Sequence, residues 1–339
     1  MKKRSRAWVG ISLVLLAGIA LFAAGLGARW YVFERPLPFR SDRVELRVPP
    51  GSSVRSIAQA AQTAGIEVNV DAMVAAARFT GTSQSLRAGR YAVQRGITLS
   101  GLLAKLRAGD VVRERFTVVE GITFRELRAL VAAQVQLKQD SARMSNAELL
   151  NAVGTAETHP EGLFAPETYV FDPGTSDVDI YRQAYRAQLK LLQDAWAGRK
   201  PDLPYASAYE ALIMASIVEK ETGQASERAM IAGVFVNRLK LGMLLQTDPS
   251  VIYGIGPSFD GNLRKRDLLA DGPYNSYTRA GLPPTPIALP GRASIEAALN
   301  PANTSALYFV SRGDGTSHFS ATLAEHNRAV DTYQRCCRK

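Results

Sequence analysis

The stretch "SIVEKETG", Ser216–Gly223, carries two glutamates two residues apart. Advancing about 100° per residue along a helix, Ile213, Met214, Ile217 and Val218 fall on one stripe, and Glu221 lies within about 10° of its centre. Glu219 falls on the far side with Ser216, although Leu212 blurs that face. Glu219 is therefore expected in solvent and Glu221 on the buried face. Desolvation disfavours a carboxylate, and so does the negative end of a helix dipole. A glutamate kept partly protonated near neutral pH is what a general acid requires. The bland account is a structural carboxyl satisfied by a nearby arginine or by backbone donors.

The helix carrying this pair opens at Ser207, which has Glu210 three residues on, a capping-box spacing, and ends near Gly223. A second helix is expected over about Glu227–Leu241, with Met230, Ile231, Val234, Phe235 and Leu239 on one side. "LLQTDPSVIYGIG" (Leu244–Gly256) turns back into an apolar segment, and "YNSYTRAGLPPTPIALPG" (Tyr274–Gly291) is too proline-rich for regular structure. Long ordered loops of that kind usually carry function. Helices are also expected over Met144–Val153, Ile180–Ala197, Ser294–Leu299 and Leu323–Arg335, and a strand over Leu307–Ser311.

Further upstream a frame repeats, V-x-x-G-x-[ST]-apolar-x-x-[IL], at Val48–Ile57, Val93–Leu102 and Val118–Leu127. It reads as strand, glycine turn and helix, with Ser or Thr at the N-cap. Arg43–Val48 alternates polar and apolar, as a half-buried strand does.

The N-terminus bounds where this machinery works. Lys2, Lys3, Arg4 and Arg6 precede Ala7–Ala28, which carries no charge. At 1.5 Å per residue that run spans roughly 33 Å, enough to cross a bilayer. The basic flank predicts a cytoplasmic N-terminus, and Trp30, Tyr31 and Phe33 suit the membrane interface. A cleaved signal peptide is the rival reading; in both cases the remainder is exported. Hydrophobic residues are 46% and charged ones 21% of the chain, the composition of a globular protein. The net charge of +10 falls to +6 once the four basic residues of the stub are removed (10 − 4). No basic stripe interleaved with aromatics points to nucleic acid. The two cysteines, Cys336 and Cys337, are adjacent, which disfavours a disulfide, and the three histidines, His159, His318 and His326, are scattered without metal-ligand spacing.

"ASIVEKETG" parallels the Ile/Val-x-x-Glu-Ser-Gly stretch of lytic transglycosylases with a lysozyme-like helix, with Thr222 in place of Ser. "EGLFAPETY" (Glu161–Tyr169), "VFVNRL", "LQTDPSVIYGIG", "YNSYTRAGLPPTPIALPG", "YFVSRGDG" and "HN" follow in order. Together with the anchor, the chain resembles the endolytic murein transglycosylase family, which has a LysM-like subdomain; "YAVQRGITLSGLLAKL" (Tyr91–Leu106) looks like the opening of such a module. A common βα unit without a ligand accounts for that repeat equally well.

The resemblance implies an α+β fold: a cytoplasmic stub (1–6), a transmembrane helix (7–28), a spacer (29–41), a small LysM-like αβ subdomain (42–112), a mixed αβ catalytic domain with a lysozyme-like catalytic helix (113–335), and a tail (336–339). It implies a single-pass protein of the cytoplasmic membrane acting on peptidoglycan strands outside it, in reach of wall synthases, with no metal or other cofactor. The reaction implied is endolytic cleavage of the MurNAc–GlcNAc β-1,4 bond to leave 1,6-anhydro-muramyl ends, which limits strand length. Glu221 takes the catalytic place. Gln246, Thr247, Tyr253, Tyr274, Asn275 and Tyr277 are the expected substrate contacts, with Asn275 and Gln246 foremost. Thr222 either hydrogen-bonds Glu221 or caps the helix, and Glu167 in "PETY" is a candidate for the site wall. Asp248 is either an assisting second carboxyl, as in a hydrolase, where the pair stands about 5–5.5 Å or 6.5–9.5 Å apart, or an Asx-type turn before Pro249. A non-catalytic glycan-binding scaffold is the reading from another class.

Overall fold

The computed structural model describes residues 2–335, with side chains from residue 15 onward except Ala28. Cys336 and Cys337 lie outside the described residues. The architecture is mixed α and β, in two compact units: residues 1–114 with 171–173, and residues 115–170 with 174–339.

The first unit begins with α1 (Lys2–Arg29), which continues through a π-helical turn, Trp30–Glu34. Among the described residues this is the one helix long and apolar enough to cross a bilayer, with mean hydropathy 1.5 over its apolar stretch, Leu15–Glu34. Residues 36–40, within the stretch expected as a proline-bearing spacer, are hydrogen-bonded to the folded body. Leu37 N–H donates to the Ile97 carbonyl (2.9 Å), Arg40 N–H to Gly65 (3.1 Å), and Glu67 N–H to Pro38 (2.9 Å).

The body of this unit is β1 (Arg43–Val48), α2 (Val54–Thr63), α3 (Val70–Phe79), β2 (Gly89–Gln94) and α4 (Leu99–Ala108). β1 and β2 pair antiparallel with Leu46 opposite Tyr91. Alternation puts Val44, Leu46 and Val48 on the buried face, against Ile57, Met73 and Leu102 of the helices.

The second unit contains β3 (Glu114–Thr117), α5 (Phe124–Ala132), α6 (Asn146–Val153), β4 (Thr168–Phe171), α7 (Asp177–Ala197), α8 (Ala208–Glu221), α9 (Arg228–Lys240), α10 (Asp248–Ile255), α11 (Lys265–Leu269), α12 (Arg292–Leu299), β5 (Tyr308–Ser311), β6 (Ser317–Ser320) and α13 (Leu323–Val330), which passes into a π turn at Asp331–Arg335. β5 and β6 form an antiparallel hairpin.

All three repeated frames fold as their residue types dictate. Gly51, Gly96 and Gly121 take positive φ of 75°, 94° and 79°. Ser53, Thr98 and Thr123 then cap α2, α4 and α5 by accepting from Ser56, Gly101 and Glu126 N–H.

At the centre of the second unit α8 packs on α7, α9, α10 and α12. Every residue from Ala211 to Val218 is buried, so this helix has no solvent side through its middle. That overturns the expected placement of Glu219. The backbone of residues 287–291 covers the side that looked polar: Ser216 Oγ accepts from Ile287 N–H (2.9 Å) and Glu219 Oε2 from Gly291 N–H (3.0 Å). The Glu219 side chain is 6% exposed and stands 3.9 Å from the Arg228 guanidinium. It is a structural carboxylate, not a solvated one.

Candidate active site

Glu221 is the last residue of α8, and its carboxyl opens onto a cavity of about 340 Å³. The segment leading into α10 forms the facing wall. Thr247, 1% exposed, donates its hydroxyl to Glu221 Oε1. Residues 246 and 247 are clasped by the 274–291 loop: Gln246 N–H donates to the Ser276 carbonyl (3.0 Å) and Thr247 N–H to Ser276 Oγ (2.9 Å). Gln246 lines the cavity at φ +50°, a left-handed conformation unusual away from glycine. Asp248, at the start of α10, lines it too and accepts from the Tyr277 hydroxyl.

Burial pushes the Glu221 carboxyl up to about 7, and the charge of Asp248 adds to the rise; the Thr247 hydroxyl and Arg238 act the other way. Removing the hydroxyl removes a donor that favours the anion. In Thr247→Val, the Glu221 pKa therefore moves up above its wild-type position, as followed by carboxyl carbon chemical shifts through a pH titration. An unchanged titration would mean that the hydroxyl does not hold the charged form.

The remaining candidates separate. Gln246, Thr247, Asp248 and Tyr277 gather with Glu221. Tyr253 and Tyr274 pack edge-on to one another at 4.9 Å in a different cluster. There Tyr253 donates to Glu161 Oε2 (3.0 Å), and Tyr274 shares a hydrogen bond with Thr285 (2.9 Å). Glu161, 3% exposed, also accepts from Phe124 N–H (2.8 Å), and burial lifts its carboxyl to about 7. Asn275 is 4% exposed and spends its amide N–H groups on the carbonyls of Asp267, Leu268 and Ala270, while its oxygen accepts from Tyr277 N–H. It shapes the loop that presents Tyr277 and offers the cavity no amide. Thr222 closes the end of α8, its hydroxyl accepting from Gln224 N–H (2.9 Å). Glu167 is exposed, and its carbonyl accepts from Val118 N–H (2.9 Å); it is not among the residues around the cavity.

Arg238, Tyr308 and His326 also line the cavity and were not among the site residues expected from the sequence. Arg238 is 7% exposed and donates to the Leu307 carbonyl from Nε (2.7 Å) and to the Leu245 carbonyl from Nη1 (2.7 Å). Its guanidinium sits 5.3 Å from the centroid of the Tyr308 ring, which also stacks with His326 at 5.3 Å. The usable signal was an arginine next to the apolar stripe in "VFVNRL".

The chain is 34% identical over 308 residues to an endolytic murein transglycosylase of Bacillus subtilis, covering 86% of this chain and 84% of the relative. It is 28% identical to an endolytic murein transglycosylase of Streptococcus pneumoniae over 96% of this chain, spanning 65% of that longer protein. A crystal structure of a yceG-like protein from Listeria monocytogenes superposes with a TM-score of 0.55 at 30% identity, covering 85% of this chain and 98% of that one. With the YceG-like family model matching residues 46–332, which include α8, Arg238 and both walls of the cavity, the chain belongs to the YceG-like family.

Proposed function

We propose that the protein is an endolytic murein transglycosylase with Glu221 as its acid–base residue. The observation that carries this reading is the Glu221 carboxyl on an open cavity, raised to about 7 by burial, in a chain 34% identical to a relative of that name. α8 serves as the lysozyme-like catalytic helix. Glu221 gives its proton to the bridging oxygen as the bond from C1 of the muramyl unit breaks. As carboxylate it then takes the proton of the C6 hydroxyl, whose oxygen closes onto C1. One bond breaks, one forms, the proton is recycled and no water is consumed, so the product ends in a 1,6-anhydro ring. Gln246, Asp248 and Tyr277 supply polar and aromatic contacts to the sugars, and Thr247 steadies the carboxylate phase of Glu221.

The body of the first unit, residues 42–112, is the LysM-like module on this reading, and α1 is a single-pass anchor of the cytoplasmic membrane that leaves that body and the second unit outside. The substrate is the glycan strand that wall synthases deliver there. A two-carboxylate hydrolase is the second reading, supported by Asp248 on the same cavity.

Digestion of purified murein followed by mass spectrometry of the fragments separates these readings. Fragments with anhydro ends are expected. Reducing ends would replace the transglycosylase with the hydrolase, and no new ends would leave a glycan-binding scaffold.

A further inference from the structure

The first unit shows one large side chain out of place. Phe79, the last residue of α3, is 83% exposed, whereas the other large exposed hydrophobics of this unit belong to α1 and its π-helical extension. A lone exposed phenylalanine needs no explanation by itself. This one has a specific neighbour: its ring lies 6.3 Å from that of Phe33, in the extension of the apolar helix. Phe33 in turn packs against the unit's core.

The join between helix and body is stiff. Glu34 accepts from the Ser100 hydroxyl (3.2 Å), Leu37 pairs with Ile97, and Phe39 bridges to Ile66. Successive backbone hydrogen bonds leave no free linker, so the direction of the helix sets which face of the unit meets whatever surrounds the helix end. Trp30 and Tyr31, in the same π turn as Phe33, are exposed, the Arg35 guanidinium lies 5.1 Å from the Tyr31 ring centroid, and the exposed Arg78 precedes Phe79. Aromatic rings with arginines among them suit a bilayer interface, where rings enter the headgroup layer and cations meet lipid phosphates.

We propose that the first unit rests on the membrane that α1 crosses, with Phe79 inserted at headgroup depth and Arg35 and Arg78 on lipid phosphates. The occupant of this face is lipid, since the face continues the surface of the apolar helix itself. The proposal rests on the reading of α1 as an anchor and adds a second, independent contact to it.

The test uses the full chain carrying Cys336→Ser and Cys337→Ser, reconstituted in nanodiscs of phosphatidylcholine and phosphatidylglycerol. An environment-sensitive fluorophore is attached at Phe79→Cys or, separately, at Leu21→Cys within α1. Lipids carrying a nitroxide at the headgroup are expected to remove most of the emission at position 79, while lipids with the nitroxide deep in the acyl chain remove little; position 21 shows the reverse. Quenching at 21 with none at 79 would overturn the proposal and leave the anchor standing; a sugar strand or another protein would then be sought for that face. Quenching at neither position would overturn the anchor and the proposal together.

Discussion

Glu221→Gln loses on the order of a thousandfold in the rate of strand cleavage, the usual contribution of a positioned general acid, and becomes the more stable protein at alkaline pH. The second half follows from the same burial as the first. The Glu221 carboxyl titrates near 7 in the folded chain against an ordinary 4.5, so between those values the native state holds a proton that the unfolded state has released. Stability contributed by this group is fully present below about pH 4.5 and is lost as pH rises through about 7. A glutamine never ionises and escapes that loss. The variant is therefore expected to gain a few kcal/mol over wild type near pH 8 and to show no such gain near pH 4. Glu161 has a shift of the same sign, but it is present in both proteins and drops out of the difference. Denaturant unfolding of the two proteins at both pH values checks the stability, and the murein digest checks the rate. In wild type, cleavage falls as pH climbs past about 7, where the acid is lost. A variant that still cut at the normal rate, or a stability difference independent of pH, would remove Glu221 from the proposed chemistry.

What the sequence made legible was local. Helix caps and glycine turns depend on a few adjacent residues, and Ser53, Thr98 and Thr123 took the N-cap places that their spacing implied. Angular position on α8 set Glu221 on the apolar stripe, and its half-buried side chain lines the cavity. It failed for Glu219 because a helix buried all round has no polar face to find. The chain that covers Ser216 and Glu219 arrives about seventy residues later, at Ile287 and Gly291, and no periodicity within α8 announces it. Polar loop residues were ambiguous for the same reason. Asn275 and Gln246 look alike in sequence, yet one is consumed by backbone carbonyls and the other lines the cavity. Tyr253 went with Glu161 because it lies more than a turn along α10 from Asp248, and Tyr274 joins that cluster through its ring contact with Tyr253. The stretch from Pro36 to Arg40 looked like a linker because its partners, Ile97 and Gly65, are remote in the chain.

Arg238 ties these pieces together, and its replacement has the second largest effect expected. From α9 it reaches the carbonyl of Leu245, just before Gln246 and Thr247, and the carbonyl of Leu307, just before Tyr308. It thereby fixes two walls of the cavity, and no carboxylate lies within ion-pair distance of it among the described residues. Arg238→Met leaves those buried acceptors without donors, at a cost of about 1–3 kcal/mol for each, so a loss of roughly 3 kcal/mol or more is expected. It also withdraws a positive charge that holds the Glu221 carboxyl down, so the alkaline limb of the rate profile moves to higher pH as the maximal rate falls. Arg238→Lys separates the two roles. Its ammonium keeps the charge but lacks the planar fork that serves two carbonyls at once. The alkaline limb should then stay near the wild-type position while most of the stability loss persists. Equal limbs in all three proteins would mean that Arg238 acts on the cavity only through its shape; a lysine variant as stable as wild type would mean that the carbonyl contacts at Leu245 and Leu307 are not what holds the walls together.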